Sequence, residues 1–390
     1  MNHVAENRVR AAGQSGVAVL GGSMLPVAGR VRVYACGITP YDVTHLGHAA
    51  TFVWIDTLAR VLHAGGAEVI VCRNVTDVDD VLLAAARRAA SYYDEFAAIH
   101  QFYFDQDMAA LGVGRPTLEP RVHSHVAQVI ALAAGLLARG VAYEREGGVY
   151  FRGAEIALRA LADQVVPDQA AVRRLAAEYG DDPDDPAKDD PADVAVWRRS
   201  GPGEPAWDGP WGPGRPGWHA QCAAIALYGL GPAVDVQAGG GDLRYPHHAY
   251  QAGLAEAFTG VQPFARARFS VGVVHVGGAK MAKSAGNLVL VGDLLTRYPA
   301  SAVRLLVLDR PWDRDWDYTA AGLEAAAARL ERLHTAAGRP GQGLPDHVAA
   351  SAVAIQAALA NDLDVPAALD IAEEEGGPAA RSLSSLLGLW

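Results

Sequence analysis

Apolar residues alternate with polar ones from Arg30 to Ala35, the two-residue period of a strand, until Gly37 to Pro40 break the run. Ala49 to Ala64 switches to helical spacing and stops near Gly65-Gly66, a glycine signal suited to a helix end. Glu68 to Cys72 reads as a second strand and Asp79 to Ala90 as a second helix. The unit strand–helix–strand has the length that a parallel pair requires. Amphipathic helices are predicted over Tyr92 to Leu111 and Val122 to Arg139, and a short strand over Gly148 to Phe151. From Gly180 to Pro216, Asp, Pro and Gly dominate, and the reading is loop. Periodicity then predicts helices at His219 to Tyr228 and His247 to Phe258, and strands at Ala233 to Gln237 and Arg268 to Val274. Beyond Pro299 the pattern is helical: Ser301 to Asp309, Ala320 to Ala336, His347 to Leu359 and Val365 to Glu374.

This pattern predicts an α/β fold. A Rossmann-like parallel-sheet domain over 1–300 is interrupted by a mainly helical insertion at about 112–215, and a helical C-terminal domain follows over 301–390. At 390 residues and 51% hydrophobic, the chain can bury a sizeable core. No run of eighteen apolar residues occurs, so no membrane partner is expected. Met1 to Gly16 holds Glu6, Arg8 and Arg10 but no apolar stretch of the signal-peptide kind, and a cytoplasmic location is expected. Three cysteines, Cys36, Cys72 and Cys222, make no disulfide framework. The net charge of −11, with no basic stripe or tail, weighs against a nucleic-acid partner, because grip on a phosphate backbone comes from clustered cations.

Two short motifs carry chemistry. Thr44-His45-Leu46-Gly47-His48 follows a strand and opens a helix. Its imidazoles either cap the helix or, with the helix N-terminus, receive a triphosphate. Lys280-Met281-Ala282-Lys283-Ser284 is either a solvated basic loop or a clamp for a departing pyrophosphate.

The pair together resembles the HIGH and KMSKS signatures of class I aminoacyl-tRNA synthetases. Tyr34 to Asp42, Arg73 to Asp80, Gly214 to Cys222 and Asp242 to His248 are similar to segments of cysteinyl-tRNA synthetase, over about Val31 to Tyr318. Glu178-Tyr179-Gly180-Asp181-Asp182-Pro183 resembles the ERGGDP motif of the mycothiol-pathway cysteine ligases, truncated relatives of that synthetase. Gly37 to Pro40 and Gln237 before Ala238-Gly239-Gly240 also look more like the ligases, and the short tail leaves little room for a tRNA-binding region.

The resemblance implies an ATP-dependent, AMP-forming ligase. It would make cysteinyl-AMP from L-cysteine and ATP, use no tRNA, and transfer cysteine to an amino-sugar acceptor, the amine of glucosaminyl-inositol. It implies one Zn2+ on Cys36, Cys222 and His247, which sequence spacing alone would not pick out, and Mg2+ accompanying ATP. The fourth ligand of the synthetases, a glutamate, is replaced by Gln251. His45, His48, Lys280 and Lys283 fall on catalytic positions. Gly37, Ile38, Thr39, Thr51, Asn74, Val75, Thr76, Trp218, Gly240, Gly241, Asp242 and Val274, with Cys36, fall on substrate and adenylate positions. Trp218 reads equally as core, and Asp242 equally as a turn residue. Cys72 matches no motif and is expected in the core. Ala249, Ser270 and Ala282 depart from the family pattern, which opens the acceptor to drift toward another amine. A reduced cysteinyl-tRNA synthetase and a non-catalytic sensor of cysteine or adenylate are the rival readings. The family implies a monomer.

Overall fold

The computed structural model describes residues 16–281, 285–340 and 345–390. The readings made on residues 1–15 and at Ala282 and Lys283 lie outside the described residues.

After a hairpin of β1 (Val17–Leu20) and β2 (Ser23–Pro26), the chain builds β3 (Arg30–Ile38), α1 (Leu46–Ala64) and β4 (Glu68–Val75). Helix α1 forms because a capping box closes its first turn and Gly65 caps its end. It buries Phe52, Val53, Trp54, Ile55 and Leu58 on the sheet. Next come α2 (Asp80–Arg88), N-capped by the Asp79 side chain, and α3 (Tyr93–Ala110). The strands β10 (Val234–Gly240) and β11 (Ala265–Val271) complete a parallel sheet in the order β11-β10-β3-β4. All four strands run the same way, so Ile38, Val75, Gly240 and Val271 end at one edge. Open α/β sheets bind ligands at that edge.

Between β4 and β10 lie α4 (Val126–Ala138), β5 (Ala142–Arg145), β6 (Gly148–Phe151), α5 (Ala154–Ala162), α6 (Gln169–Glu178), β7 (Val194–Arg199), β8 (Trp207–Gly209), β9 (Gly212–Pro216) and α7 (Trp218–Leu230). The expected loop over 180–216 is corrected here. Three of its stretches join an antiparallel sheet ordered β5-β6-β7-β9-β8, so the insertion is part sheet as well as helix. Two of the glycines in this stretch, Gly209 and Gly214, make room for the Trp197 indole. A Cβ on Gly214 would lie 2.3 Å from the Trp197 indole nitrogen, and Trp197 is wholly buried in the insertion's own core.

Helix α8 (Ala249–Thr259) leads to β11, and the strand read over 268–274 is interrupted at Gly272 before β12 (Val274–Val276). After β13 (Ala279–Lys280) the helices α9 (Val291–Leu295), α10 (Ala300–Leu308), α11 (Ala320–Ala337), α12 (Pro345–Ala360), α13 (Val365–Glu375) and α14 (Gly377–Leu387) follow. They share one hydrophobic core with the parallel sheet. Arg304 of α10 is buried there with its charge met by Asp56 at 2.8 Å and its other donors on the carbonyls of Leu111 and Leu387, all at 3.0 Å. A buried cation needs this degree of pairing. Among the described residues no helix is long and apolar enough to cross a membrane.

Candidate active site

A cavity of about 680 Å³ opens at the C-terminal edge of the sheet. Of the predicted site residues, Cys36, Gly37, Ile38, Thr39, His45, His48, Thr51, Gly240, Gly241, Asp242, Val274 and Lys280 line it. Asn74, Val75, Thr76, Trp218, Cys222 and His247 are not among its lining residues. Of the departures from the family pattern, neither Ala249 nor Ser270 lines it.

One end is built from the tip of β3. The pairing of β3 with β4 shifts register between Ala35 and Ile38, so Cys36 and Gly37 fall in a bulge. Bulges re-aim side chains. The bulge admits only glycine at position 37, because a Cβ there would sit 1.6 Å from the Asn74 carbonyl oxygen. The Asn74 side chain then locks the turn. Its Oδ1 accepts from the Gly37 amide at 2.9 Å and the Tyr34 hydroxyl at 3.1 Å, and its Nδ2 donates to Thr76 Oγ1 at 2.9 Å. Asn74 and Thr76 therefore brace the site from beneath.

This bulge brings Cys36 to Cys222 on α7 and to His247, just ahead of α8. One ligand atom from each lies within 4.8 Å of the others, and all three residues are buried. His247 Nε2 is 3.3 Å from Cys222 Sγ. A hydrogen bond from Cys36 holds the Cys222 thiol well below its usual range, against burial and with help from His247, while burial pushes Cys36 up. The neighbours of His247 assign the imidazole protons. His219 Nε2 meets the buried Asp181 carboxylate at 2.7 Å, and His219 Nδ1 faces His247 Nδ1 at 3.1 Å. Burial holds His219 below its usual range in spite of Asp181, so it is neutral. Its proton goes to Asp181, its Nδ1 accepts from His247 Nδ1–H, and the His247 Nε2 lone pair faces the thiols. That arrangement, with outer partners fixing a ligand's tautomer, is typical of metal sites. Two thiols and an imidazole suit a tetrahedral N/S ion with one position left over. Gln251 takes no part as a charged ligand. Its Oε1 accepts from Gln237 Nε2 at 2.8 Å and lies 3.5 Å from Cys36 Sγ.

The other end is the N-terminus of α1. His45 Nδ1 accepts from the Gly47 amide at 3.2 Å, and His48 Nδ1 accepts from the His45 amide at 3.4 Å. The rings stack with centroids 3.9 Å apart. Of the two alternatives for this motif, the cap is present. By capping the helix through Nδ1, each neutral ring must carry its proton on Nε2, as a donor. Burial lowers both imidazoles, His48 to about 3 with His45 adding to the effect, so both rings are neutral at physiological pH. Neutral N–H donors and the helix N-terminus together make an anion site.

Lys280 reaches the same space from the hairpin β12–β13, which turns at Gly277-Gly278. Its Nζ donates to Asp242 Oδ2 at 2.7 Å and to the Tyr179 hydroxyl at 3.3 Å. Burial works against its charge, but Asp242 raises its pKa overall, so it is cationic. Tyr179, Asp181 and His219 are the site residues that motif reading quoted without a role. Their signal, a tyrosine, an aspartate and a histidine within the quoted motifs, gives no hint of which atoms meet. Cys72 is fully buried on β4, as expected, with its thiol pushed up to about 12 by burial.

A parallel sheet whose carboxyl edge joins a histidine-capped helix to a lysine hairpin defines a catalytic domain of the class I synthetase type. Solved structures agree on the fold. Mycobacterium tuberculosis methionyl-tRNA synthetase in complex with methionyl-adenylate superposes with a TM-score of 0.64 at 17% identity, covering 93% of this chain and 82% of that one. A LeuRS of Agrobacterium radiobacter K84 gives 0.64 at 12% identity, covering 100% and 86%. Residues 24–328 match the model of the tRNA synthetases class I (C) catalytic domain, and the chain belongs to that family. Within it, the chain is similar to enzymes named L-cysteine:1D-myo-inositol 2-amino-2-deoxy-alpha-D-glucopyranoside ligase. That of Acidothermus cellulolyticus is 43% identical over 351 residues, 88% of this chain and 84% of the relative. That of Nocardia farcinica is 42% identical over 377 residues, covering 92% and 90%.

Proposed function

We propose that the protein is an ATP-dependent, AMP-forming ligase of mycothiol biosynthesis. It activates L-cysteine as cysteinyl-AMP and joins it, as an amide, to the amine of the 2-amino-2-deoxyglucopyranosyl inositol named in its relatives. The observation that carries this reading is one cavity with a buried Cys36–Cys222–His247 cluster at one end and the His45–His48 cap with Lys280 at the other. An amino acid selected by its thiol, and a nucleotide held by its phosphates, fit between them.

Cys36, Cys222 and His247 would hold zinc, which when bound supplies a Lewis acid that takes a thiolate far more readily than an alkoxide and so favours cysteine over serine. The chain's own residues do the rest. In the first step the cysteine carboxylate oxygen forms a bond to the α-phosphorus of ATP, and the bond to the pyrophosphate oxygen breaks with its electron pair. His45 and His48 donate from Nε2 to phosphate oxygens, and Lys280 leaves Asp242 to meet the charge growing on pyrophosphate. Lys283 is assigned the same task from the signature. Asp242, once free of Lys280, is an acceptor for a ribose hydroxyl. Thr51 and the Gly240-Gly241 backbone complete the adenosine side, with Val274 as its apolar wall. Gly37, Ile38, Thr39, Asn74, Val75, Thr76 and Trp218 frame the amino acid. Acidic charge favours a partner other than tRNA, and the reading includes a cytoplasmic monomer.

The test is amino-acid-dependent ATP–pyrophosphate exchange. Exchange with cysteine, and not with serine, alanine or valine, is expected, together with loss of exchange on chelation and return on zinc. Exchange supported by serine as well as by cysteine would refute the thiol-selective reading.

A further inference from the structure

One wall of the cavity comes from the insertion, and it consists of Glu178 and Tyr179. They stand where α6 ends, in the motif whose role the two-step chemistry leaves unassigned. We propose that Glu178 is the acceptor-binding residue that takes the ammonium group of the amino sugar. This inference rests on the ligase reading above.

Position supports it first. Tyr179 stacks almost parallel on Trp218, at 5.9 Å and 7°, and Trp218 stacks in turn on the metal-site residue His247 at 4.3 Å. The Tyr179 hydroxyl receives Lys280 from the phosphate side. The turn thus spans the gap between the thiol end and the phosphate end. An adenylate held at both ends has its carbonyl in that gap, and the amine has to arrive there.

Charge supports it second. The acceptor is a polyol whose distinguishing group is an amine, and amines with pKa of about 8 or more are largely protonated at pH 7. A carboxylate is the group that recognises one. Three carboxylates line the cavity: Asp42, Glu178 and Asp242. Asp242 is committed to Lys280, and Asp42 accepts the Val43 amide at 2.8 Å. Glu178 is exposed at the rim and has no hydrogen bond or ion pair among the described residues. It also closes the C-terminal turn of a ten-residue helix that has no basic residue in that turn, so the helix adds partial negative charge.

Rigidity supports it third. Arg198 donates to the Gly180 carbonyl at 3.0 Å, and Asp181 is fixed on His219. The carboxylate is presented from a helix end whose next residues are already tied to the protein.

In the transfer step the bound ammonium gives one proton to Glu178, which passes it to the water at the rim. The nitrogen lone pair forms the C–N bond to the adenylate carbonyl. The C–O bond to phosphate breaks with its pair, AMP leaves, and the second nitrogen proton is released to solvent.

The test uses the zinc-loaded full chain, with the aminoglucosyl inositol as acceptor and its 2-hydroxy analogue as a neutral competitor. For Glu178→Gln the cysteine-dependent exchange stays within about twofold, which also reports an intact fold, while the acceptor KM rises about fivefold, the upper size of a lost ion pair at an exposed carboxylate. The inhibition constant of the neutral analogue does not move, and Glu178→Asp recovers part of the loss. An unchanged acceptor KM overturns the assignment, as does an equal loss of affinity for the amine and its neutral analogue. No exchange in the wild type would instead sink the ligase reading itself, and exchange without amide formation would sink the acceptor.

Discussion

At one end of the cavity Cys36, Cys222 and His247 are 4%, 2% and 2% exposed, while at the other the Lys280 and Asp242 side chains keep 47% and 32% of their surface. The buried end is wired before any ligand arrives. Each polar atom of His219 and His247 has a partner, and Asn74 and Gln251 fill the space behind the thiols. The open end is wired provisionally, with Lys280 resting on Asp242 and Tyr179. A surface ion pair of this exposure is screened and contributes little to stability, so its release for phosphate costs little. Selection among amino acids calls for the first construction, and passage of nucleotide and pyrophosphate calls for the second.

The largest effect that breaks this comparison comes from the buried end. Cys222→Ser is expected to abolish both metal binding and cysteine-dependent exchange, because a three-ligand site cannot spare one. Metal content by elemental analysis checks the first, and exchange the second. Retained metal at one ion per chain in the variant would show that the cluster is not the site. Gly37→Ala comes next. Its Cβ would collide with backbone, not with a flexible side chain, so the bulge must shift and carry Cys36 with it. A loss of about 3 kcal/mol or more is expected in chemical denaturation, beyond ordinary overpacking.

At the open end Lys280→Ala is expected to lower exchange by about 10²- to 10³-fold, the usual scale for one charge-stabilising donor, with metal content unchanged. A smaller effect separates the two ends again. Asp181→Asn replaces the acceptor-only carboxylate that fixes the His219 and His247 tautomers with an amide that can also donate, and metal affinity should fall about 10- to 100-fold while the Kd of ATP alone stays the same. A shift in both constants together would mean that the ends are not independent.

Much of the framework was legible because its signals are local. The β3–α1–β4 unit shows in its periods, and α1 announces its start and stop through His45 and Gly65. The insertion was less legible, since Gly214 sits in a strand to make room for Trp197, a reason that composition does not reveal. The metal cluster was not legible in the residues themselves. Cys36, Cys222 and His247 lie on three distant elements, and only the resemblance joined them. The same limit hid His219 and Asp181, whose meaning is a pair of distances.

The smallest expected effect concerns pH at the open end. An imidazole at its usual pKa of about 6.5 would change charge between pH 5 and 8, and phosphate affinity would change with it. Here burial lowers His45 and holds His48 down at about 3, whereas Lys280 is raised. His48 therefore adds no charge of its own over that window, and the Kd of ATP measured without cysteine should follow only the titration of the terminal phosphate itself, at about pH 6, between pH 8 and pH 5. Stability behaves differently. The unfolded chain binds a proton on His48 below about pH 6.5, but the folded chain does not until about pH 3, and His45 is shifted in the same direction. Stability is thus fully present above pH 6.5 and declines as pH falls toward 3, because the unfolded state takes up more protons. A transition near pH 6.5 beyond that of the phosphate, in protein still folded, would show that a ring is free to protonate and that the Nδ1 caps do not fix Nε2 as the donor.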